Sequence, residues 1–241
     1  MNSKIRCLAL AAALAGLAGC KGEDPQAVAA AAAQQQAARE AAADKVATQF
    51  DEAIAREQWV MARGYGDILQ AEHAGTRAAE RVKAQMGGLQ EKADAQRQAQ
   101  RLEQLWTYAE EPVAKGRQLS ASLYAKQDLD VDGSGAKPVR LIFRDHPDWG
   151  RSAYLVLESG DFDCYRGCRL PVTADGKRST LPGSRPDTDE AIAMFIDDEK
   201  SLWRLAKSSK ELAIEFPTKG RGKQTAVFEV GGLDAGRLPG W

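Results

Sequence analysis

The sequence predicts an α+β protein: an N-terminal helical tether and a helical hairpin or small bundle, then a mostly antiparallel β sandwich or roll with one helix. Three observations carry that expectation. QAVAAAAAQQQAAREAAAD is low in complexity and made of strong helix formers. From Val46 to Ala109 the apolar residues recur at steps of three and four. From about residue 117 the chain breaks into short β-branched or aromatic runs punctuated by Gly, Pro and Asp.

The chain opens with a short basic head holding Lys4 and Arg6, continues with the apolar run CLALAAALAG, and leaves it through Leu17-Ala18-Gly19-Cys20. That pattern reads as a secretory signal, too short to span a bilayer as a mature helix. Its last four residues resemble the lipobox of bacterial lipoproteins. The resemblance implies cleavage before Cys20, acylation of its thiol and amine, and attachment to the lipid bilayer through Cys20. A plain signal peptide that ends in Cys is the alternative. By analogy with lipoprotein sorting, Lys21 implies the outer membrane, facing the periplasm. Several acyl chains at about 0.8 kcal/mol per buried CH₂ make a firm anchor. Loss of residues 1–19 takes Lys4 and Arg6 away and moves the formal charge from −1 to about −3. That balance, with the export signal, argues against a nucleic-acid partner, which needs a basic footprint.

Asp24 and Pro25 form a helix start, N-cap then first helical residue. The acylated Cys and the Ala/Gln-rich stretch make up a tether over residues 20–44, which has no large apolar face and is expected to be a solvated helical spacer. The helical segment proper is expected over 45–116. Val46, Phe50 and Ile54 form its first stripe, with a break near Glu57. Trp59, Ala62, Tyr65, Ile68 and Leu69 continue it to EHAGT, where Thr76 caps the next helix. Val82, Met86, Leu89 and Ala93 come next, and Leu102, Leu105, Trp106 and Ala109 extend that stripe until Pro112 stops it. A helical hairpin or bundle is preferred to a repeat array, because no second copy stands at a fixed period.

The β domain is expected over 117–241. RQLSASLY, KPVRLIF, SAYLVLE, DFDC, CRLPVTA, AIAMFI, LAIEF and TAVFEV are the strand runs, with a turn at Asp175-Gly176. DDEKSLWRLAKSSKE is a capped amphipathic helix with Leu202, Trp203 and Leu205 on its apolar side.

Cys164 and Cys168 are the two thiols left once Cys7 leaves with the signal and Cys20 carries lipid. Zinc wants four ligands, and the mature chain adds only His73 and His146, both distant in sequence. Redox pairs favour Cys-x-x-Cys, whereas the spacing here is Cys-x₃-Cys. On the oxidising side of a membrane the pair reads as a disulfide. GDFDC and CRLPV are expected to form a hairpin around Tyr165-Arg166-Gly167, with Gly167 left-handed.

HPDWG (146–150), the close Cys pair, the helix after FIDD, VFEVGGLD (227–234) and the junction LEQLWTYAEEPVAKGRQLSASLY (102–124) resemble a group of exported proteobacterial lipoproteins with a C-terminal β domain. The resemblance implies architecture and compartment, and assigns no functional residue.

Candidate chemistry is sparse. Asp128, Asp130, Asp132 and Gly133 match the first half of an EF-hand loop, but Gly135 and Val139 stand where an apolar residue and the closing Glu belong. An acidic turn is the preferred reading. RDHPDWG gathers Arg144, Asp145, His146, Asp148 and Trp149, with His146 a conceivable general base and no nucleophile motif beside it. A Pro-Asp turn with Trp149 folded onto the sheet is preferred. KGRGK (219–223) reads as a solvated basic tip. Trp59, Trp106 and Trp203 read as core; Trp241 is either a docking residue or folds back. No catalytic residue, metal site or cofactor is assigned. The function expected is a non-catalytic lipoprotein that binds an envelope protein partner; an immunity (toxin-neutralising) lipoprotein, or an envelope hydrolase or weak calcium-dependent binder, are the alternatives.

Overall fold

The computed structural model of the chain describes residues 24–187 and 192–241. The expected signal segment and Cys20 lie outside the described residues. The chain divides into two compact units, one of residues up to Glu57 with Met61–Gly87, the other of Gln58–Val60 with Gly88–Trp241.

The helical unit contains α1 (Pro25–Ala55), most of α2 (Trp59–Glu72) and α3 (Arg77–Lys83). Asp24 caps α1 as its composition demands, its side chain accepting the Gln26 N–H. Glu57, at φ 55°, makes the break expected there. Thr76 caps α3 through the Ala79 N–H. The buried face of α1 is Ala43, Ala47, Phe50 and Ala53, with Val46 and Ile54 only half-buried. Small residues win the centre because they let the backbones approach closely, and Gly66 of α2 packs on Phe50 and Met86. The predicted stripe from Val82 to Ala93 is not one helix. A 3₁₀ turn at Met86–Gly88 interrupts it, since Gly87-Gly88 is poor helix material, and α4 begins at Leu89.

The second unit holds α4 (Leu89–Gln104), then β1 (Thr107–Val113), β2 (Gly116–Tyr124), β3 (Val139–His146), β4 (Gly150–Leu157), β5 (Cys168–Ala174), β6 (Lys177–Ser184), β7 (Ala193–Ile196), α5 (Glu199–Ser208), β8 (Glu211–Thr218) and β9 (Gly222–Glu229). The nine strands form one antiparallel sheet in the order β1-β2-β3-β4-β7-β6-β5-β8-β9. Just past β2, the Lys126 N–H donates to Val227 of β9 at 2.7 Å, so the sheet curls and its far end returns to its beginning. Of the two forms expected, sandwich or roll, this single curled sheet is the roll.

Alternate residues of each strand point into one core, where Leu141 and Phe143, Leu155 and Leu157, Leu170 and Val172, Ile214 and Phe216, and Phe228 are fully buried. Helix α5 contributes Leu202, Trp203 and Ala206 to the same core, and Asp198 caps it through the Ser201 N–H. That helix is the one expected from its apolar side.

Three readings need correction. Helix α4 ends at Gln104, and Thr107–Val113 is a strand, so the apolar steps through Ala109 are not helical and β structure begins ten residues before 117. Trp106 belongs to the sheet core at 5 % exposure, and Pro112 is tolerated because β1 is the first strand in the order, an edge that needs no full ladder. Strand β6 is absent from the expected runs; Leu181 is its only large inward residue. It comes after a tight turn with Asp175 at φ 44° and Gly176 at φ 83°. GDFDC does not pair with CRLPV; Asp163 N–H donates instead to Pro217 O, and Lys219 N–H to Asp161 O, at the end of β8.

Candidate functional site

Cys164 and Cys168 are joined by a disulfide with Cα atoms 5.2 Å apart. Gly167 is left-handed at φ 89°, as the loop required, and Arg166 shares that region at φ 61°. The bond therefore closes a loop at the entrance to β5 rather than bracing a hairpin. Beside it stands a charge cluster that sequence reasoning missed. The Arg185 side chain, 1 % exposed, pairs with Asp161 at 2.8 Å and donates to Phe162 O at 3.1 Å. Its guanidinium lies 4.1 Å from the Tyr165 ring centre, and Lys219 lies 4.7 Å from the same ring. Lys219 also pairs with Asp161 and donates to Tyr165 Oη at 2.6 Å, and these bonds hold its ammonium above the ordinary lysine range. Every charge here has a partner, so the cluster braces the loop.

The acidic turn and His146 do not meet. The turn lies before Val139 and His146 ends the same strand, so β3 holds them roughly 23 Å apart at its rise per residue. Asp130 accepts the Gly133 N–H at 2.7 Å and pairs with Arg221 at 2.9 Å. Asp132 is held below the usual carboxylate range by hydrogen bonds from Ser134. Asp128 is exposed. An arginine bonded to a would-be ligand opposes a divalent cation, and among the described residues no group of three or more His, Cys, Asp or Glu is placed to hold a metal ion. The basic tip is likewise not free: Lys219, Arg221 and Lys223 face Asp161, Asp130 and Glu215.

His146 is 6 % exposed, and its Nδ1 accepts the backbone N–H groups of Asp148 at 3.1 Å and Trp149 at 3.4 Å. Nδ1 is thus engaged by the backbone of its own hairpin. Trp149 does not fold onto the sheet; it stacks on His146 at 4.0 Å and remains 70 % exposed. Asp148 pairs with Lys115. Trp106 and Trp203 are core as expected, gathered around Phe143 at 6.2 and 5.0 Å, and Trp241 folds back to join them at 5.4 Å.

A concave feature lies elsewhere. A cleft of about 500 Å³ is lined by Ala99 and Glu103 of α4, Tyr108 of β1, and Gly231, Gly232, Leu233 and Asp234. Its floor exists because Gly232 has no side chain: a Cβ there would overlap the Leu102–Glu103 peptide. Tyr108 Oη accepts the Asp234 N–H at 2.7 Å, and burial raises its pKa, so the phenol stays protonated with its O–H available to donate. Glu103 and Asp234 put two carboxylates on the rim, and Arg237 sits 5.0 Å over the Tyr108 ring. Such a cleft favours a cationic group with hydrogen-bond capacity. The paired glycines in VGGLD were its one legible signal.

No protein-family model, curated protein or solved structure matches the chain.

Proposed function

We propose that the protein is a lipid-anchored lipoprotein of the bacterial envelope, held in the outer membrane and facing the periplasm, that binds a protein partner and catalyses nothing. One observation carries the reading. Shortly after the expected anchor at Cys20, residues 25–39 are helical yet exposed on every side, as a spacer is. At about 1.5 Å per residue, the exposed part of α1 spans roughly 22 Å along its axis from Pro25. No helix among the described residues is long and apolar enough to cross a membrane, so the acyl chains of Cys20 would be the attachment. The acidic cleft supplies a docking point for a basic side chain of the partner.

Growth with labelled palmitate tests the anchor: the native chain takes label and Cys20→Ser takes none. Label in the variant, or none in the native chain, removes the reading. Cross-linking in membranes tests the binding role. A specific partner lost on Glu103→Lys with Asp234→Lys is expected; a native chain that yields no specific partner sinks it. A captured partner that is a secreted toxin neutralised by this chain makes the protein an immunity lipoprotein, a special case of the same role. A hydrolase or calcium-dependent binder draws no support from the occupied Nδ1 of His146 or from the Asp130–Arg221 pair.

A further inference from the structure

The outer face of β3, β4 and β7 carries groups that neither the core nor the cleft uses. Residue alternation turns Arg144 outward on β3, Ser152 and Tyr154 on β4, and Phe195 on β7. The register sets Ser120, Arg144 and Ser152 in one row across three strands, and Ser122, Ile142, Tyr154 and Phe195 in the next. The rings of Tyr154 and Phe195 are 5.4 Å apart. At the tip of the β3–β4 hairpin stands Trp149, the most exposed of the large apolar side chains among the described residues at 70 %.

Trp149 is exposed yet held. One face lies on the His146 imidazole at 4.0 Å with the planes 13° apart, and His146 is itself fixed by two backbone N–H bonds to Nδ1. A buried histidine thus holds the indole from one side while most of its surface stays exposed. Arg144 sits between the aromatic groups, its guanidinium 5.3 Å from the Trp149 ring and 5.4 Å from Tyr154. Its Nε–H donates to Ser152 Oγ at 3.2 Å, which leaves the Nη donors without a carboxylate among the described residues. Of the other cations at this end, Lys115 pairs with Asp148 at 2.7 Å and Arg117 with Glu110 at 2.8 Å, while Arg151 is held by the Gly240 carbonyl at 2.7 Å.

We infer that this face binds a carboxylated polysaccharide, with Trp149 as the stacking platform and Arg144 as the carboxylate's partner. The chemistry of each group points the same way. A flat, immobile indole offered by one face fits the apolar face of a pyranose ring, and its pre-organisation removes ordering cost from binding. A protein hot spot instead buries a tryptophan inside a closed pocket of the partner, which an indole already stacked on one side does not do. A planar guanidinium with free Nη donors takes a carboxylate in bidentate fashion. The serine hydroxyls of the first row supply the adaptable hydrogen bonds a sugar needs. A single exposed indole among charged side chains lacks the continuous apolar surface of a membrane wedge. The inference stands whether or not Cys20 is acylated.

Affinity electrophoresis of the full chain in detergent tests it, with polygalacturonate and hyaluronan as carboxylated probes and dextran as the neutral one. Both carboxylated polymers should retard the native chain more than dextran does. Trp149→Ala should weaken binding to them by about tenfold or more, and Arg144→Gln should abolish the preference over dextran. Circular dichroism should be unchanged, because neither side chain is in the core. Equal mobility in all three gels overturns the inference. So does retardation that survives Trp149→Ala, which is charge attraction alone, or a Trp149→Ala variant whose only loss is a cross-linked protein or vesicle binding, which assigns the face to that partner.

Discussion

Arg101 meets Glu229 through two hydrogen bonds, Nη2 to Oε1 at 2.6 Å and Nη1 to Oε2 at 3.1 Å, and so ties α4 to the last strand, β9. The guanidinium holds the Glu229 carboxyl below its usual range. A carboxylate whose folded pKa is lowered adds stability above its unfolded value, here 4.5, and loses it as pH falls through the folded pKa. Melting temperature measured from pH 7 to pH 3 should therefore fall less steeply for Glu229→Gln than for the native chain. An unchanged slope would show that this pair contributes nothing to acid sensitivity.

Gly232 is where α4 and the closing segment touch, so Gly232→Ala should destabilise the β unit by about 1–3 kcal/mol and deform the cleft beside Tyr108. Gly87 has open space around its Cα, and Gly87→Ala should instead gain roughly 0.4–1 kcal/mol by restricting the unfolded chain. Paired thermal melts give both signs; a neutral Gly232→Ala would mean the contact is looser than described.

Asp161 faces two cations, one of them the buried Arg185. Asp161→Ala takes a carboxylate away from that buried guanidinium, and a loss of about 1.5–3 kcal/mol is expected in urea unfolding. Lys219→Met, on the exposed side of the same cluster, should cost far less.

Replacing Cys164 and Cys168 by serine removes a cross-link that closes a very short loop. Chain entropy assigns it about 2 kcal/mol. Reductant should lower the melting temperature of the native chain to that of the double variant and leave the variant unmoved. A native chain indifferent to reductant would place no stabilising bond there.

Much of the architecture was legible because it is local. Asp24, Thr76 and Asp198 bond to amides two or three residues away, so their helix starts stand in the sequence itself. Val139–His146 carries the aliphatic and aromatic run LIF after Val139, and Glu211–Thr218 sets Leu212, Ile214 and Phe216 two residues apart, which is enough to declare strands. Strand β6 was hidden because Pro182 and Gly183 interrupt its run, and Gly183 is wanted there only because Leu170 on the neighbouring strand leaves a Cβ 2.6 Å from its Cδ1. Strand β1 was hidden because Leu102, Leu105 and Trp106 keep helical spacing up to the very residue where pairing with β2 takes over.

The sites divide in the same way. Composition and periodicity established the class of fold, and close spacing together with the expected export made Cys164 and Cys168 the expected pair, because those signals are local. Long-range packing chose what joins distant segments: β7 between β4 and β6, Arg185 beneath Tyr165, and Glu103 beside Asp234. A side chain's neighbours across a curled sheet depend on strand order and register, and neither is written in the residues on either side of it.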